Sequence, residues 1–239
     1  MILIIDSNEL LMKSIFIWRK SKTIPFKYFY LLQLFKYLKM FQYQTVYLAA
    51  DKYDSWRKAI FTPYKEKRKK LRDSFPDIPW KKIFSDYNKL LQDINLLTSI
   101  NSIQIPHLEG DDIISALCHI YKDQSKVVVS QDKDLSQLVK IPNTKVYSTR
   151  SNKFRTLEEA EKTIAKKISS GDSSDDIPKS SSLTEKIRNC LLIDLVNLPQ
   201  VIIDEVYNYI KSVRKEINVN KFLSIYKYKF LEKYKEILK

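Results

Sequence analysis

The sequence predicts an α/β protein: an open, parallel sheet with a basic helical insertion, followed by an all-helical carboxyl-terminal part. Three observations predict it. Short β-branched runs alternate with longer stretches of helical period over the first two thirds of the chain. The apolar runs Ile2–Ile5, Thr45–Ala50 and Val127–Val129 each stop within a few residues of an aspartate. Beyond about residue 156 only helical periodicity remains, so the expected division is 1–155 and 156–239, with the insertion at about 55–89.

Taken in order, Ile2–Ile5 reads as a buried strand ending at Asp6, and Ser7 or Asn8 caps the helix that follows. Pro25–Phe41 reads as an aromatic, basic helix, and Thr45–Ala50 as a second strand ending at Asp51. Residues 55–89 break the alternation: a dense cationic run, Tyr64 to Arg72, is followed by a segment holding Pro76 and Pro79. Leu90–Ile100 reads as a helix and Ser102–Ile105 as a strand. Glu109-Gly110-Asp111-Asp112 opens a helix over Ile113–Tyr121. After Val127–Val129 come Asp132-Lys133-Asp134, a helix to about Val139, and a hairpin of Lys145–Thr149 with Lys153–Thr156. Thr156 followed by Glu159 has the form of a capping box. Asp172 and Asp175, three apart, are expected on one helical turn. Glu185–Val196, Pro199–Val213 and Asn220–Leu238 read as basic amphipathic helices.

Composition narrows the function classes. A hydrophobic fraction of 44% supports a real core, and a formal charge of +14 spread along the chain points to a polyanionic partner. The two cysteines, Cys118 and Cys190, sit in apolar helical surroundings and read as thiols in a reducing compartment. Ile2 to Trp18 is apolar, but Asp6, Glu9 and Lys13 interrupt it and no basic segment precedes it, which argues against a secretory leader. No stretch is long and apolar enough to span a membrane. The reading is a cytoplasmic protein. The chain has two glycines, Gly110 and Gly171, and both adjoin acid clusters, where a sharp turn or a close backbone approach would need them.

Asp6, Asp51 and Asp132 each follow a strand, and ligands bind beyond the carboxyl ends of the strands in an open α/β sheet. Acids converging there repel one another unless cations lie between them. Oxygen-only donors suit magnesium or manganese rather than zinc. Taken singly, each cluster is also ordinary cap or turn chemistry. The aromatic and cationic insertion suits a surface that meets phosphates and stacks on bases, or equally a solvated helical face with its aromatics buried.

Five segments together resemble the 5′-nuclease superfamily, which includes flap endonucleases, the 5′-exonuclease domains of bacterial polymerases and the ribonuclease H of T-even-type phages. They are Asp6 after the first strand; Asp51 with Trp56-Arg57-Lys58 and Tyr64-Lys65-Glu66-Lys67-Arg68; Glu109-Gly110-Asp111-Asp112; Ser130 to Leu138; and Gly171-Asp172-Ser173-Ser174-Asp175-Asp176-Ile177-Pro178. The last is similar to the family's Gly-Asp-Ser-Ser-Asp-Asn-Ile-Pro. The phage ribonuclease H type is the most similar branch. The resemblance implies a PIN-like, Rossmann-type sheet with a helical arch, and a helix-hairpin-helix-like motif at about 165–192. It also implies a two-metal hydrolysis of phosphodiesters at 5′ ends and flaps. Asp6, Asp51, Glu109 and Asp111 would surround one Mg2+, and Asp132, Asp134, Asp172 and Asp175 the other, with Asp112 a further ligand or a helix cap and Mn2+ able to substitute. Lys65 and Arg68 would act on the scissile phosphate. Arg57, Lys58, Tyr64, Lys67, Lys69, Lys70, Arg72, Lys179 and Lys186 would contact nucleic acid. The implied partners are forked, flapped or nicked DNA, RNA–DNA duplex, and replication proteins such as a single-strand-binding protein, met as a monomer.

The chain departs from the family after Pro178. Lys179-Ser180-Ser181-Ser182-Leu183-Thr184-Glu185-Lys186 replaces a glycine-rich hairpin that holds potassium and duplex phosphate, so the K+ site is put in question. The alternatives are a PIN-type endoribonuclease and a nucleic-acid-binding relative without catalysis.

Overall fold

The computed structural model describes residues 1–52 and 54–239. Among the described residues six strands form one sheet: β1 (Ile2–Asp6), β2 (Thr45–Ala49), β3 (Asn101–Ile103), β4 (Lys126–Val129), β5 (Thr144–Ser148) and β6 (Lys153–Phe154), in spatial order β3-β2-β1-β4-β5-β6. All neighbours are parallel except β5 and β6, which close an antiparallel hairpin at the edge. The register sets Asp6 beside Ala49, and Ile5 beside both Leu48 and Val129. Asp51 and Asp132 follow those strand ends by two and three residues, so three acids reach one edge of the sheet.

Both faces are covered, as the near-continuous apolar strands require. Leu3, Ile5, Val46, Leu48, Val127 and Val129 point to one side, against α1 (Ser7–Ser21), α2 (Phe26–Met40) and residues of a long helix, Trp80–Leu97. Ile2, Ile4, Tyr47, Ala49, Val128 and Val146 point to the other, against the helix Gly110–Ile120 and the later helix Gln200–Ser212.

The insertion forms two short helices, α3 (Arg57–Ile60) and α4 (Lys67–Asp73). Residues 80–89, expected within it, instead belong to α5 (Trp80–Leu97), because Ile83 and Tyr87 continue the apolar stripe of Leu90, Leu91, Ile94 and Leu97. Next comes α6 (Gly110–Ile120), and a 3-10 turn over Asp134–Lys140 stands where a helix was expected. Then α7 (Leu157–Ser170) starts at the Thr156–Glu159 capping box, and α8 (Leu183–Ile193) starts at a second one, Ser182 with Glu185. The segment 220–238 is not one helix. After α9 (Gln200–Ser212), α10 (Val219–Tyr226) stops at Lys227 in left-handed backbone, and a 3-10 turn covers Lys229–Tyr234. The break lets Tyr228, Phe230 and Tyr234 pack on Tyr28 and Phe35 of α2. The tail therefore joins the core of the first sheet face, with Phe222, Leu231 and Leu238 fully buried. Among the described residues no helix is long and apolar enough to cross a membrane.

Candidate metal centre

Asp6 ends β1 and caps α1: its Oδ1 accepts the Glu9 N–H at 3.0 Å and its Oδ2 accepts the Ser130 hydroxyl at 2.8 Å. Asp51 lies just past β2 and accepts the Gly110 N–H at 2.7 Å. Gly110 itself is helical, and a Cβ there would meet its nearest neighbours at 3.4 Å, so no unusual backbone requires glycine. Glu109, the N-cap of α6, takes Lys65 Nζ at 2.5 Å, Tyr64 OH at 2.9 Å and Arg57 Nη1 at 3.0 Å. Asp132 Oδ1 accepts the Asp134 N–H at 2.8 Å, which tightens the 130–134 turn beyond β4. With Asp111, the acids Asp6, Asp51, Glu109 and Asp132 line a cavity of about 640 Å³, and Lys65, Arg68, Lys133, Arg150 and Lys167 also border it.

A second acid group adjoins the first, with Glu109 and Asp111 lining the space between them. Asp134, Asp172 and Asp175 each offer an oxygen, and these oxygens lie within 4.8 Å of one another. Asp172 and Asp175 do not share a helical turn. Residues 172–177 form a tight loop closed by paired backbone hydrogen bonds of 2.8 Å between Asp172 and Ile177. Gly171 makes the loop possible: its φ is 78°, and a Cβ would lie 2.4 Å from the Ile177 carbonyl.

The electrostatics match an acid site built for cations. Burial and then the Glu9 charge push the Asp6 carboxyl up to about 7. Burial, followed by Asp132 and Asp6, drives Asp111 well above the usual carboxylate range. Asp134 is pushed up to about 6 by burial and then Asp132, despite Lys167 Nζ at 2.5 Å. Glu109 goes the other way: burial opposes its ionisation, but Lys65 and Arg57 outweigh it and hold the carboxyl low. Protein cations thus neutralise part of the cluster, with Lys167 joining Asp134 and Asp172 at 2.5 Å each and Arg68 meeting Asp175 at 2.8 Å. The donor set is oxygen-only and acid-dense, which fits hard divalent cations.

The family model described as the 5′-3′ exonuclease, N-terminal resolvase-like domain, matches residues 1–168. The chain belongs to this family. It is 28% identical over 215 residues to the 5′-3′ exonuclease of Mycoplasmopsis pulmonis, covering 83% of this chain and 68% of that protein. It is 27% identical over 148 residues to the ribonuclease H of Enterobacteria phage T4, covering 59% of this chain and 48% of that one. The fold resembles a bacteriophage T5 flap endonuclease solved as a pseudo-enzyme-product complex with DNA and metal ions. There the TM-score is 0.69 and the identity 16%, with 88% of this chain and 97% of that chain covered. It also resembles the T5 5′-exonuclease with bound zinc, with TM-score 0.68, 16% identity, and 89% and 98% covered.

Within this exonuclease-family fold, the acids expected as ligands converge, with two changes. Asp132 borders the first cavity rather than standing with the second group. Asp112 is no ligand. It is fully buried, paired with Arg57 at 2.7 Å, and accepts Trp56 Nε1 and the Glu109 N–H, so its carboxylate serves the capping box and the arginine. Two expected nucleic-acid contacts are likewise structural. Arg57 is 1% exposed and spans Glu109, Asp112 and the Leu192 carbonyl, while Tyr64 is 2% exposed beneath Glu109 and Asp175. Their sequence neighbourhood is cationic, but both side chains turn inward because buried carboxylates need partners. Lys58, Lys67, Lys70, Arg72, Lys179 and Lys186 are exposed, and the side chain of Lys69 lies outside the described residues.

Sequence reasoning missed Lys167, Glu9 and Arg150. Glu9 accepts from Lys13, Thr149 and the Gln131 N–H, tying α1 to the 130–134 turn and the β5–β6 hairpin. Its position three residues after Asp6, on the first turn of a helix starting at the acid edge, was the available signal. Lys167 and Arg150 carried no comparable mark.

Proposed function

We propose that the chain is a metal-dependent, structure-specific 5′-nuclease acting on 5′ ends and flaps of DNA and RNA–DNA duplexes, with primer removal in replication as its use. The observation that carries this reading is the adjoining pair of acid groups at the carboxyl edge of the sheet, beside the cationic segment 64–72. A protein that merely bound phosphate would gain nothing from concentrating negative charge there. The relatives' names point the same way.

Two Mg2+ ions, replaceable by Mn2+, would lower the pKa of a bound water and stabilise the leaving oxygen of a phosphodiester. Asp6, Asp51, Glu109, Asp111 and Asp132 would hold one, and Asp134, Asp172 and Asp175 the other. Lys65 and Arg68 reach the cavity from the insertion and are placed to offset charge that develops on the scissile phosphate. Lys58, Lys67, Lys70 and Arg72, with Lys179 and Lys186 beyond the 172–177 loop, offer phosphates a line of exposed cations. In place of a potassium-bound hairpin, Ser180 Oγ and Asn189 Nδ2 donate to the carbonyls of Ile168, Ser169 and Pro178 at 2.9–3.3 Å, so side chains satisfy that turn. The test is digestion of end-labelled flap, nicked and RNA-primed duplexes with Mg2+. Release of products from the 5′ end is expected, and full activity in excess chelator would refute the metal reading.

A further inference from the structure

The segment 64–68 is docked on the 172–177 loop, and most of its contacts use carboxylates that the cation sites would claim. Tyr64 OH, Lys65 Nζ and Arg68 Nη2 reach Asp175 at 3.4, 3.8 and 2.8 Å, and the first two also hold Glu109. Asp176 is different. It stands outside the three-carboxylate group. Its Oδ2 accepts the Lys67 N–H at 2.9 Å and its Oδ1 pairs with Lys67 Nζ at 2.6 Å. Lys67 is the first residue of α4, a helix whose own N-cap, Glu66, makes no side-chain cap bond. The carboxylate therefore caps α4 from a distant part of the chain. Beside it, the Lys65 N–H donates to the Asp175 carbonyl at 3.0 Å, and both Lys65 and Asp176 hold left-handed backbone, with φ of 56° and 60°. Asp tolerates that conformation and Lys rarely adopts it. Only a carboxylate at position 176 can add the ion pair to Lys67.

We propose that Asp176 is a positioning residue: it anchors the start of α4 and so sets where Lys65 and Arg68 stand over the acid cluster. Because it does not compete for the cation-binding oxygens, its hold persists when those oxygens turn to metal. This inference rests on the nuclease reading above.

Two variants separate the anchor from mere tolerance of positive φ. Asp176→Gly keeps the backbone freedom and removes the acceptor; Asp176→Asn keeps an acceptor for the Lys67 N–H and loses the ion pair. With Mg2+ and saturating flap substrate, Asp176→Gly should lower the single-turnover rate about 10- to 100-fold, the scale of a small misplacement of catalytic groups. Its substrate affinity should hold or rise, since a negative charge near phosphate is removed. Asp176→Asn should stay within about fivefold of the parent, the most an ion pair to a solvent-exposed lysine contributes. In metal-free protein without substrate, trypsin should cut within 67–72 faster in Asp176→Gly than in Asp176→Asn. A Gly variant as fast as the parent, equal losses in both variants, a loss confined to affinity, or unchanged proteolysis would overturn the proposal. A parent chain that cuts no nucleic acid would sink the nuclease reading instead, and the proteolysis would still decide the anchor.

Discussion

Neutralising Asp111 should make the metal-free protein more stable while ending catalysis. Asp111 is crowded by Asp132, Asp6 and Glu109, and no side-chain hydrogen bond holds it among the described residues. At an effective dielectric constant near 20, two like charges about 6 Å apart repel by about 3 kcal/mol. Asp111→Asn removes that cost, whether the metal-free fold bears it as repulsion or by holding the Asp111 carboxyl protonated, and in a chain of this size each kcal/mol moves the melting midpoint by about 2–4 °C. The metal-free variant at pH 7.5 should therefore melt roughly 5–10 °C above the parent. The pH dependence has a definite sign. Asp6 titrates near 7 in the fold instead of 3.8, so its contribution is full below pH 3.8 and is lost as pH rises through about 7. Asp134, pushed to about 6, acts in the same direction. Both shifts act in one direction, so the metal-free parent should melt lower at pH 7.5 than at pH 5.5. Mg2+ should reverse that slope, because it binds the deprotonated carboxylates. The assay is thermal unfolding in chelator and in Mg2+ at both pH values, beside single-turnover cleavage. A metal-free Asp111→Asn that melts below the parent, with activity tracking the folded fraction, would refute the reasoning and leave these acids as ordinary cap and turn residues.

Lys65→Ala and Arg68→Ala should each slow single-turnover cleavage on the order of 100-fold or more while weakening binding little; losses in affinity alone would make them plain phosphate anchors. Replacing Lys179 and Lys186 together should reduce the salt slope of duplex binding by about one unit per lost phosphate contact. Binding should also be indifferent to exchanging potassium for sodium, and a strong potassium requirement would contradict the side-chain-satisfied turn. Arg57→Ala should lower stability by about 3–5 kcal/mol, because it strands the buried Asp112 and Glu109 carboxylates. An unchanged melt with a shallower salt slope would return Arg57 to the nucleic-acid surface.

The sequence by itself determined the sheet and its acid edge. Apolar runs such as Val127–Val129 specify buried strands through local composition, and an aspartate just past a strand's end has nowhere to go but the sheet's edge. The Thr156–Glu159 box was equally legible, because a capping box is written in four consecutive residues. What only the tertiary structure decided is which charges meet. Arg57, Tyr64 and Asp112 looked like surface or site residues, yet they are buried partners, since pairing between residues 55 positions apart depends on how α3 docks against α6. Lys167 entered the acid cluster, and Asp176 became the cap of α4, by the same long-range accident of packing. The continuity of α5 from Trp80 was settled by the apolar stripe the core could bury, and the break at Lys227 by the aromatic side chains that pack on α2. Periodicity reports a residue's face on its own element, but the counter-charge it finds is set by an element elsewhere in the chain, and no local pattern encodes that.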